Sequence, residues 1–388
     1  MKKYSILIVA WKAYLIHVSE FVRYLKMINP NVEISLLISR SKLSVIPDDV
    51  KEKALEISYF YECSNKIKNK LIGNLIDRFC FISSFMRQTK KKYDIVNIHF
   101  AKPRLAFAMH WIKKLSNTIV ISPWGSDVMR VDGERQIQQL ARVYSSANFV
   151  TVGPDSQIGR QVIEKFNVSH EKMVKLGWGG EFFDYIQENS HTVSTEDAKA
   201  RFGLQGRYVI TCGYNTQREQ RHKAIIDAIH GVRDKLPENL TLLFPFTYGR
   251  SPWSDAYTDS VKKKGEEYGF DVVSVEDHLN MSDLLKLRMA TDIFVHIQTT
   301  DAGSRCVMEY VACNKKVVNG AWIKYAYLED NKPSCYFPVD RLENLGACIV
   351  KACSAEVGPL PQEVERIIMA RGWKHKIALW NSFFESLI

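Results

Sequence analysis

Several patterns that are common in metal-binding and membrane proteins are missing from this chain of 388 residues. Its eight cysteines are never spaced as C-x-x-C, which argues against a zinc site. No D-x-D pair follows a strand-like run, so the sequence predicts no metal site. No run approaches the roughly 20 apolar residues that span a bilayer. Motifs of the recognised nucleic-acid-binding folds are also missing, so we expect no nucleic-acid partner.

The cysteines lie mostly within apolar runs, as buried free thiols do in a reducing compartment. We therefore expect a cytoplasmic protein. The opening stretch, MKKYSILIVAWK, begins like a signal peptide, but its apolar run is too short and no small-residue cleavage site follows. This stretch is better interpreted as the first strand of the fold.

The composition is that of an ordinary globular protein with an excess of positive charge. Hydrophobic residues make up 46% of the chain and charged residues 25%, and the formal net charge is +10. A basic surface favours an anionic partner such as a nucleic acid, an acidic membrane or a phosphorylated ligand, although a generally basic composition explains the charge equally well. At roughly 100–200 residues per domain, the length indicates two domains.

Short apolar runs alternate with amphipathic stretches along the first half of the chain. This alternation predicts parallel strands joined by helices, in a sheet that is covered on both faces. The predicted strands are YSILIVA, VEISLLIS, DIVNIHF, TIVISPW and NFVTVG, and the clearest helices are VSEFVRYLKMI and RQIQQLARVYSSA.

The same alternation begins again after a polar connector at 185–206. The sequence therefore predicts an α/β protein with a doubly wound, Rossmann-like domain at 1–185, a second at 206–365, and a C-terminal helix at 366–388 that crosses back to the first domain. Ligands bind such sheets at the carboxyl ends of the strands, so the two domains are expected to face a central cleft. The predicted strands of the second domain are RYVITCG, LTLLFPF, FDVVSV, DIFVHIQ and KKVVNG.

The most strongly patterned segment, TTDAGSRCVMEYVACNKKVVNG, follows one of these strands. Gly303 stands just before the predicted helix RCVMEYVACN, and the start of a helix favours a bound phosphate. Asp301 and Glu309 are eight residues apart, which predicts that both lie on the cleft side of one element. Carboxylates in such a place accept hydrogen bonds from sugar hydroxyls. A helix cap followed by one solvent-facing glutamate would give the same pattern.

This segment resembles the E-x7-E element of GT-B glycosyltransferases, notably those of family 4. Asp301 stands where that family usually has a glutamate. The resemblance implies a GT-B fold and a nucleotide-sugar donor. It also implies that Glu309 holds the nucleotide ribose, while Asp301, Ala302, Gly303 and Ser304 face the donor sugar and its diphosphate. Removal of Glu309 is then expected to abolish donor binding and leave the fold intact.

The segment YVITCGYNTQREQRHKAIIDAI resembles the strand, glycine loop and helix that open the donor domain of family 4. The arginine and lysine positions of the family are not matched residue for residue. The resemblance places donor-binding residues among Gly213, Asn215, Arg218 and Arg221, and either arginine suits a diphosphate. A solvated basic helix start is the alternative for both arginines.

A third segment, LFPFTYGRSPWSDAYTDSVKKKGEEYGF, looks like a part of the bacterial fucosamine-derivative transferases of enterobacterial common antigen synthesis. Those enzymes act on polyprenyl-diphosphate-linked acceptors. Tyr248 follows the predicted strand here and is a further candidate for donor binding. Family 4 retains the anomeric configuration and the fucosamine-derivative transferases invert it. We expect retention rather than inversion.

The segment VISPWGSDVMR is similar to the H-G-S-D loop on the acceptor side of family 4. Trp124 replaces the histidine that often stands there, and Gly125 follows it. Asp127 is the nearest acid, and with Asp301 it is a candidate catalytic residue that takes the acceptor's proton or orients the acceptor; capping the next helix is the alternative. His99, at the end of DIVNIHF, is expected at the same edge, although a lone histidine there is more often structural.

The glycine-rich loop that family 4 usually has after its first strand is missing. AWKAYLIHVSE stands there instead, with Lys12 and His17 as weak candidates. Together with Asp301 and Trp124, this departure leaves open a catalytically inactive homologue that serves as a scaffold.

Residues 64–92 hold eight lysines or arginines and one aspartate among leucine, isoleucine and phenylalanine. Such a basic amphipathic stretch predicts contact with an anionic membrane surface. An ordinary helix with a solvated face is the alternative.

These observations together predict a glycosyltransferase that needs no metal and no cofactor. We expect it to move a sugar from a nucleotide-sugar donor to an acceptor that is a saccharide or is linked to polyprenyl diphosphate. The product would belong to a bacterial capsule, O-antigen or other surface polysaccharide. Its expected location is the inner face of the cytoplasmic membrane. A sugar-nucleotide epimerase on a similar fold is the alternative enzyme.

Overall fold

The computed structural model describes residues 1–11, 15–40, 47–61, 70–250, 253–301 and 303–388. Within these residues the chain forms two compact units. The first unit comprises residues 1–181 and 371–388, and the second comprises 182–370. The change of unit at 181 precedes the expected boundary at 185, so the connector belongs to the second unit, where it forms helices and no strand.

The first unit alternates strands and helices as the sequence predicts. In chain order its elements are β1 (Ser5–Ala10), α1 (Leu15–Ile28), β2 (Glu33–Arg40), α2 (Asp48–Lys53), β3 (Glu56–Tyr61), α3 (Lys70–Gln88), β4 (Ile95–His99), α4 (Met109–Leu115), β5 (Thr118–Ser122), α5 (Ser126–Met129), α6 (Glu134–Ser145), β6 (Phe149–Val150) and α7 (Gln157–Phe166).

All strands of the first sheet are parallel, and their order is β3-β2-β1-β4-β5-β6. The central strands β1 and β4 are buried almost throughout, which explains their continuous apolar sequences. The edge strand β3 has the sequence EISYFY and escapes a search for apolar runs because polar residues alternate with apolar ones. The predicted strand NFVTVG is shortened to the two residues of β6.

The second unit repeats this architecture. Its elements are α8 (Glu181–Asn189), α9 (Thr195–Arg201), β7 (Tyr208–Cys212), α10 (His222–His230), β8 (Leu240–Pro245), α11 (Ser254–Glu267), β9 (Asp271–Val275), α12 (Met281–Ala290), β10 (Ile293–His296), α13 (Arg305–Ala312), β11 (Lys316–Gly320), α14 (Ala326–Asn331), β12 (Tyr336–Val339), α15 (Leu345–Ser354) and α16 (Gln362–Met369).

The second sheet is also parallel, with the order β12-β11-β10-β7-β8-β9. The chain leaves β7 toward β8 on one side, and β10 returns to pair with β7 on the other side. The strand order therefore reverses between β7 and β10. In open α/β sheets a ligand binds in the crevice outside the carboxyl ends of the two strands at such a reversal.

The last helix, α17 (Trp373–Ser386), packs against α1 of the first unit. Trp373 and Trp380 are fully buried there, and their rings lie 5.6 and 5.0 Å from the ring of Phe21. Gly179 has to be a glycine, because a Cβ atom there would lie 2.4 Å from the Trp373 ring. The chain therefore completes the core of its first unit with its last residues.

None of the helices in the described part of the chain is both long enough and apolar enough to cross a bilayer.

Candidate functional site

The loops that follow β7 and β10 lie together at the reversal point of the second sheet. The Thr299 amide donates a hydrogen bond of 3.1 Å to the carbonyl of Glu219, which joins the two loops through their backbones. The Tyr214 hydroxyl donates a second link, of 2.8 Å, to Oε1 of Gln298. The candidate donor residues after β7 and β10 therefore come from two adjoining loops.

Gly213 begins the first of these loops with φ at +66°, a conformation that disfavours a side chain. A Cβ atom at this position would also lie 2.8 Å from Nε2 of His222 and 3.0 Å from Oε1 of Gln220. The same Gln220 oxygen accepts a hydrogen bond from the Tyr214 amide, and its Nε2 donates to Gln298. Gly213 thus permits a tight turn on which a buried polar network is built.

Arg218 and Arg221 are held by aromatic rings and have no acidic partner among the described residues. The Arg218 guanidinium lies 4.9 Å from the centre of the Trp253 ring and 5.7 Å from that of Tyr257. The Arg221 guanidinium lies 5.6 Å from the Trp322 ring. Stacking restrains a guanidinium and leaves its N–H groups available, so both cations suit an anionic ligand.

Tyr248 lies on the loop after β8, beside the same site. Its side chain is half exposed, and its ring centre is 6.0 Å from that of Tyr214. Thr216 ties the two loops together, because its amide donates a 3.1 Å hydrogen bond to the Tyr248 carbonyl. Asn215 is buried and accepts a 2.8 Å hydrogen bond from the Gln217 amide, which shapes the turn. Tyr248 is therefore open to a ligand, whereas Asn215 supports the loop.

The predicted helix after Gly303 is α13, and its first turn is capped. The side chain of Ser304 accepts a hydrogen bond from the Cys306 amide, and its own amide donates one of 2.8 Å to the Tyr325 hydroxyl. Gly303 has φ at +94°, and apart from its chain neighbours no described residue lies within 4 Å of the place of a Cβ atom. The backbone at Gly303 is thus open for close approach by a ligand, while Ala302 lies outside the described residues.

Glu309 points into the unit and is paired with a buried arginine. Arg288, on α12, donates hydrogen bonds of 3.1 Å from Nε and 2.8 Å from Nη2, both to Oε2 of Glu309. Glu309 is 7% exposed, which excludes the solvent-facing glutamate that the sequence left open. Its second oxygen, Oε1, has no hydrogen bond within the described residues. That oxygen can accept a hydrogen bond from a ligand hydroxyl.

Asp301 lies against a buried histidine at the end of β10. Its Oδ2 atom is 3.2 Å from Nε2 of His296, and Nδ1 of His296 is 2.8 Å from Oδ1 of Asn319 on β11. The distance between Nε2 and Oδ2 is short enough for a hydrogen bond, but the two atoms are not aligned as one. Within the described residues both atoms are buried without a hydrogen-bond partner.

The carboxylates of Glu309 and Asp301 both act electrostatically on the thiol of Cys306. Burial raises the pKa of Cys306, the charge of Arg288 opposes this rise, and the charges of Glu309 and Asp301 add to it. A thiol with a raised pKa stays protonated and unreactive. Cys306 is therefore not a candidate nucleophile.

The carboxylate of Asp127, in the first unit, is engaged by the backbone. Its Oδ1 accepts hydrogen bonds from the amides of Trp124 (2.9 Å) and Gly125 (3.0 Å), and its Oδ2 accepts one from Ala101 (3.1 Å). Burial raises its pKa to about 7, and hydrogen bonds from backbone amides, including these three, oppose that rise. These contacts favour the structural alternative for Asp127, which joins the loops after β4 and β5.

His99 is fully buried, which corrects the expectation that it reaches the edge of the sheet as an acceptor-side residue. Its ring lies 5.0 Å from Trp178, 5.8 Å from Phe21 and 6.1 Å from Trp124. Burial in this aromatic surround lowers its pKa to about 3, so the imidazole is neutral and belongs to the core. Trp124 is half-buried, with its ring 5.3 Å from that of His17. Lys12 lies outside the described residues.

Three residues of the site were missed by sequence reasoning. Arg288 stands within an apolar helix pattern, MSDLLKLRMA, and His296 stands within an apolar strand, DIFVHIQ. Each breaks the pattern of its element, which is a usable signal for a buried partner. Asn319, in KKVVNG, breaks the third pattern in the same way.

No protein-family model matches the chain, and no curated protein matches it. Solved structures do resemble it. A glycosyltransferase from Rickettsia africae is 13% identical with a TM-score of 0.70, and the match covers 100% of this chain and 99% of that one. Anabaena HepE in complex with UDP and glucose is 12% identical with a TM-score of 0.68, covering 99% and 100%. Sucrose-phosphate synthase from Thermosynechococcus elongatus is 12% identical with a TM-score of 0.70, covering 99% of each.

At these identities the likeness establishes the fold. Two parallel six-stranded sheets with flanking helices, superposing over the whole length on these structures, form the GT-B fold that the sequence predicted.

Proposed function

We propose that this protein is a glycosyltransferase that takes its sugar from a nucleotide-sugar donor bound by the second unit. The observation that carries this proposal is the pairing of two uncompensated arginines with a fixed, ligand-accessible carboxylate at the reversal point of the sheet. Arg218 and Arg221 offer positive charge, and Glu309 offers one oxygen while Arg288 holds the other. A nucleotide sugar presents the complementary groups, namely a diphosphate and a pentose diol. The glycosyltransferases of the same fold support the choice.

Each group of the donor has a proposed partner. The diphosphate lies against Arg218, Arg221 and the open backbone at Gly303, where the first turn of α13 adds a favourable dipole. The ribose hydroxyls donate to Oε1 of Glu309. Tyr248 borders the donor, and Asp301 faces its sugar. In this proposal fixed protein charges stabilise the leaving diphosphate, so neither a metal nor another cofactor takes part.

The acceptor side belongs to the first unit in this proposal. Transfer breaks the bond between the anomeric carbon and the diphosphate, joins that carbon to an acceptor oxygen, and releases the hydroxyl proton. Trp124 and Gly125 border the acceptor. The buried, fully bonded Asp127 holds their loop instead of taking the proton. Retention of the anomeric configuration follows from the resemblance to family 4, and the coupling constant of the product's anomeric proton measures it.

The helix α3 supports a membrane-bound acceptor. One face of α3 buries Phe81 and Phe85, while the opposite face exposes Leu75 (66%) and Phe79 (70%) to solvent. Exposed basic residues lie on α3 and directly after it. They are Arg78, Arg87, Lys90, Lys91 and Lys92.

Exposed apolar side chains beside basic ones suit the surface of an anionic bilayer, where each lysine or arginine contributes about 1 kcal/mol. Part of the basic stretch, residues 64–69, lies outside the described residues. We therefore propose a peripheral protein on the inner face of a bacterial cytoplasmic membrane. Its acceptor is a saccharide, linked to polyprenyl diphosphate, in the synthesis of a surface polysaccharide.

A panel of labelled nucleotide sugars, assayed with and without lipid-linked saccharide acceptors, tests the proposal. Transfer that requires an acceptor supports it. Isomerisation of the donor without an acceptor would instead identify an epimerase. Donor binding without turnover, across the whole panel, would identify an inactive homologue that serves as a scaffold.

A further inference from the structure

The strand order of the first sheet also reverses, between β1 and β4. β1 pairs with β2 on one side and with β4 on the other, as β7 does with β8 and β10 in the second sheet. Ligands of open α/β sheets bind outside the carboxyl ends of two such strands. The loops that follow β1 and β4 are therefore expected to border a ligand site of the first unit.

Trp11 directly follows β1 and has a buried indole N–H group that lacks an acceptor. The side chain is 1% exposed, and within the described residues its Nε1 atom has no hydrogen-bond partner. Buried polar atoms are almost always hydrogen-bonded, and an indole N–H can only donate. The oxygen of a ligand can supply the acceptor that Trp11 lacks.

Two basic side chains from the loop after β4 lie against the same aromatic cluster. The Nζ atom of Lys102 is 4.2 Å from the centre of the Trp11 ring. The Arg104 guanidinium is 5.9 Å from the Trp11 ring and 4.2 Å from that of Phe81 on α3. Both basic side chains are partly exposed. A ring face restrains a cation without neutralising its charge, so both cations suit an anionic ligand.

The backbone that carries these two cations is held in place by Asp127. The Ala101 amide, next to Lys102, donates a hydrogen bond of 3.1 Å to Oδ2 of Asp127. The chain then forms a short 3-10 helix over Pro103–Phe107, which includes Arg104. The structural role of Asp127 in the first unit thus includes fixing the loop from which Lys102 and Arg104 project.

The three groups are all hydrogen-bond donors, and two of them are positively charged. A phosphate group offers several acceptor oxygens and negative charge, so it can accept from an indole, an ammonium and a guanidinium at once. Since Nε1 is part of the Trp11 ring, the distances to Lys102 and Arg104 allow one phosphate or diphosphate to bridge the three donors. The set therefore suits a phosphate.

The helix α3 connects these groups with the proposed membrane surface. Phe81 of α3 contacts Arg104, while Leu75 and Phe79 are exposed on the opposite face of the helix. The cations thus lie about one helix diameter, ~10 Å, from that exposed face. The diphosphate of a polyprenyl-linked acceptor remains at the bilayer surface, within reach of such a site.

We propose that Trp11, Lys102 and Arg104 form a binding site for a phosphate group of the acceptor. The indole, the ammonium and the guanidinium donate to its oxygens, and the phosphate positions the acceptor without taking part in the transfer. The identification of the ligand as the acceptor rests on the proposed function, whereas the phosphate site itself does not. The phosphate belongs either to a polyprenyl diphosphate or to a soluble sugar phosphate.

Calorimetric titration of the full chain with two probes tests the site and identifies the source of the phosphate. Farnesyl diphosphate represents the lipid, and glucose 6-phosphate represents a soluble sugar phosphate. We expect saturable binding of one of them, with an affinity that falls as the salt concentration rises. Binding of farnesyl diphosphate alone identifies the lipid, and binding of glucose 6-phosphate identifies the soluble acceptor. If neither probe binds, the proposal is wrong.

Three variants locate the bound probe. Lys102→Gln and Arg104→Gln should each weaken its binding about tenfold, because each removes a charge-assisted hydrogen bond. Trp11→Phe keeps an aromatic ring beside Lys102 and removes the N–H group, so it should also weaken binding about tenfold. Arg218→Met, in the second unit, is the control and should bind the probe like the wild type. Affinities that are unchanged in the first three variants, or lowered only in Arg218→Met, overturn the proposal.

The outcomes separate this proposal from the proposed function. If the wild type binds a phosphate probe at this site but no nucleotide sugar, the proposed function fails and the phosphate site stands. If it binds a nucleotide sugar but neither probe, the phosphate site fails and the proposed function stands. Thermal unfolding confirms that each variant is folded. If Trp11→Phe does not fold, the two glutamine variants, which change partly exposed side chains, decide the matter.

Discussion

Arg288 donates two hydrogen bonds to one oxygen of Glu309, at 3.1 and 2.8 Å, and leaves the other oxygen without a partner within the described residues. The arginine thus fixes the carboxylate and directs its remaining oxygen. Both side chains are buried, so the pair is part of the core of the second unit as well as part of the proposed site.

Removal of Glu309 is expected to lower the stability of the protein, in addition to the loss of donor binding that the resemblance implies. Glu309→Ala leaves the buried Arg288 without a counter-charge, and breaking such a pair lowers the free energy of unfolding by about 3–5 kcal/mol. Chemical denaturation measures the change. Glu363→Ala, which removes an exposed pair with Arg366, is the control and should have the stability of the wild type. A loss for Glu309→Ala no larger than for this control would show that the pair does not stabilise the core.

Arg218 and Arg221 are expected to bind the diphosphate. Replacing either with methionine removes a charge-assisted hydrogen bond of about 1.5–3 kcal/mol, so donor affinity should fall by about 10–100-fold. Calorimetric titration with nucleotide sugars measures the affinity, and the wild-type affinity should fall with rising salt. Arg366→Met, on a solvent-exposed part of α16, is the matched control. Equal affinities of all three variants would contradict the assignment.

Asp127 is expected to contribute a dependence of stability on pH. Its pKa rises to about 7 in the folded protein, so between roughly pH 4 and 7 the native state holds a proton that the unfolded chain has released. The stability of the wild type should therefore fall as the pH rises through this range, by up to about 1.4 kcal/mol per pH unit, relative to Asp127→Asn. Denaturation of both proteins at pH 5 and pH 7 measures the difference. A constant difference would show that Asp127 is ionised throughout.

The exposed face of α3 is expected to bind anionic membranes. Replacing Leu75 and Phe79 with serine removes the apolar side chains that would enter the bilayer, so less protein should sediment with anionic liposomes. Neutralising Lys90, Lys91 and Lys92 should have the same effect at low salt. Leu379→Ser, which changes a half-exposed leucine on α17, should sediment like the wild type. Unchanged sedimentation of the α3 variants would rule out this surface.

The fold was predictable from the sequence because its strands are buried on both faces. Runs such as DIVNIHF and DIFVHIQ are apolar almost without interruption, and only a sheet that is covered by helices keeps such runs from water. The edge strand β3 escaped prediction because it packs on fewer neighbours and carries polar residues.

The sequence predicted where the site lies, but not which side chains meet there. The glycines and acids of the site are close together in the sequence, so the pattern from Asp301 to Glu309 indicated the loop after β10. The partners of those acids come from other elements: Arg288 from α12 and Asn319 from β11. No local pattern shows that such residues meet, because the meeting depends on the packing of elements that are separate in the sequence. The same limitation applies to His99, whose burial is caused by aromatic rings from distant parts of the chain.

The measurement that most directly tests the central claim is a titration of the wild type and Arg218→Met with nucleotide sugars and their nucleoside diphosphates. Saturable binding of a nucleotide sugar, shared by the corresponding diphosphate and weakened at least about tenfold in the variant, is the predicted result. Binding that is unchanged in the variant, or no binding of any nucleotide sugar by the wild type, would contradict the assignment of the loops after β7 and β10 as a donor site.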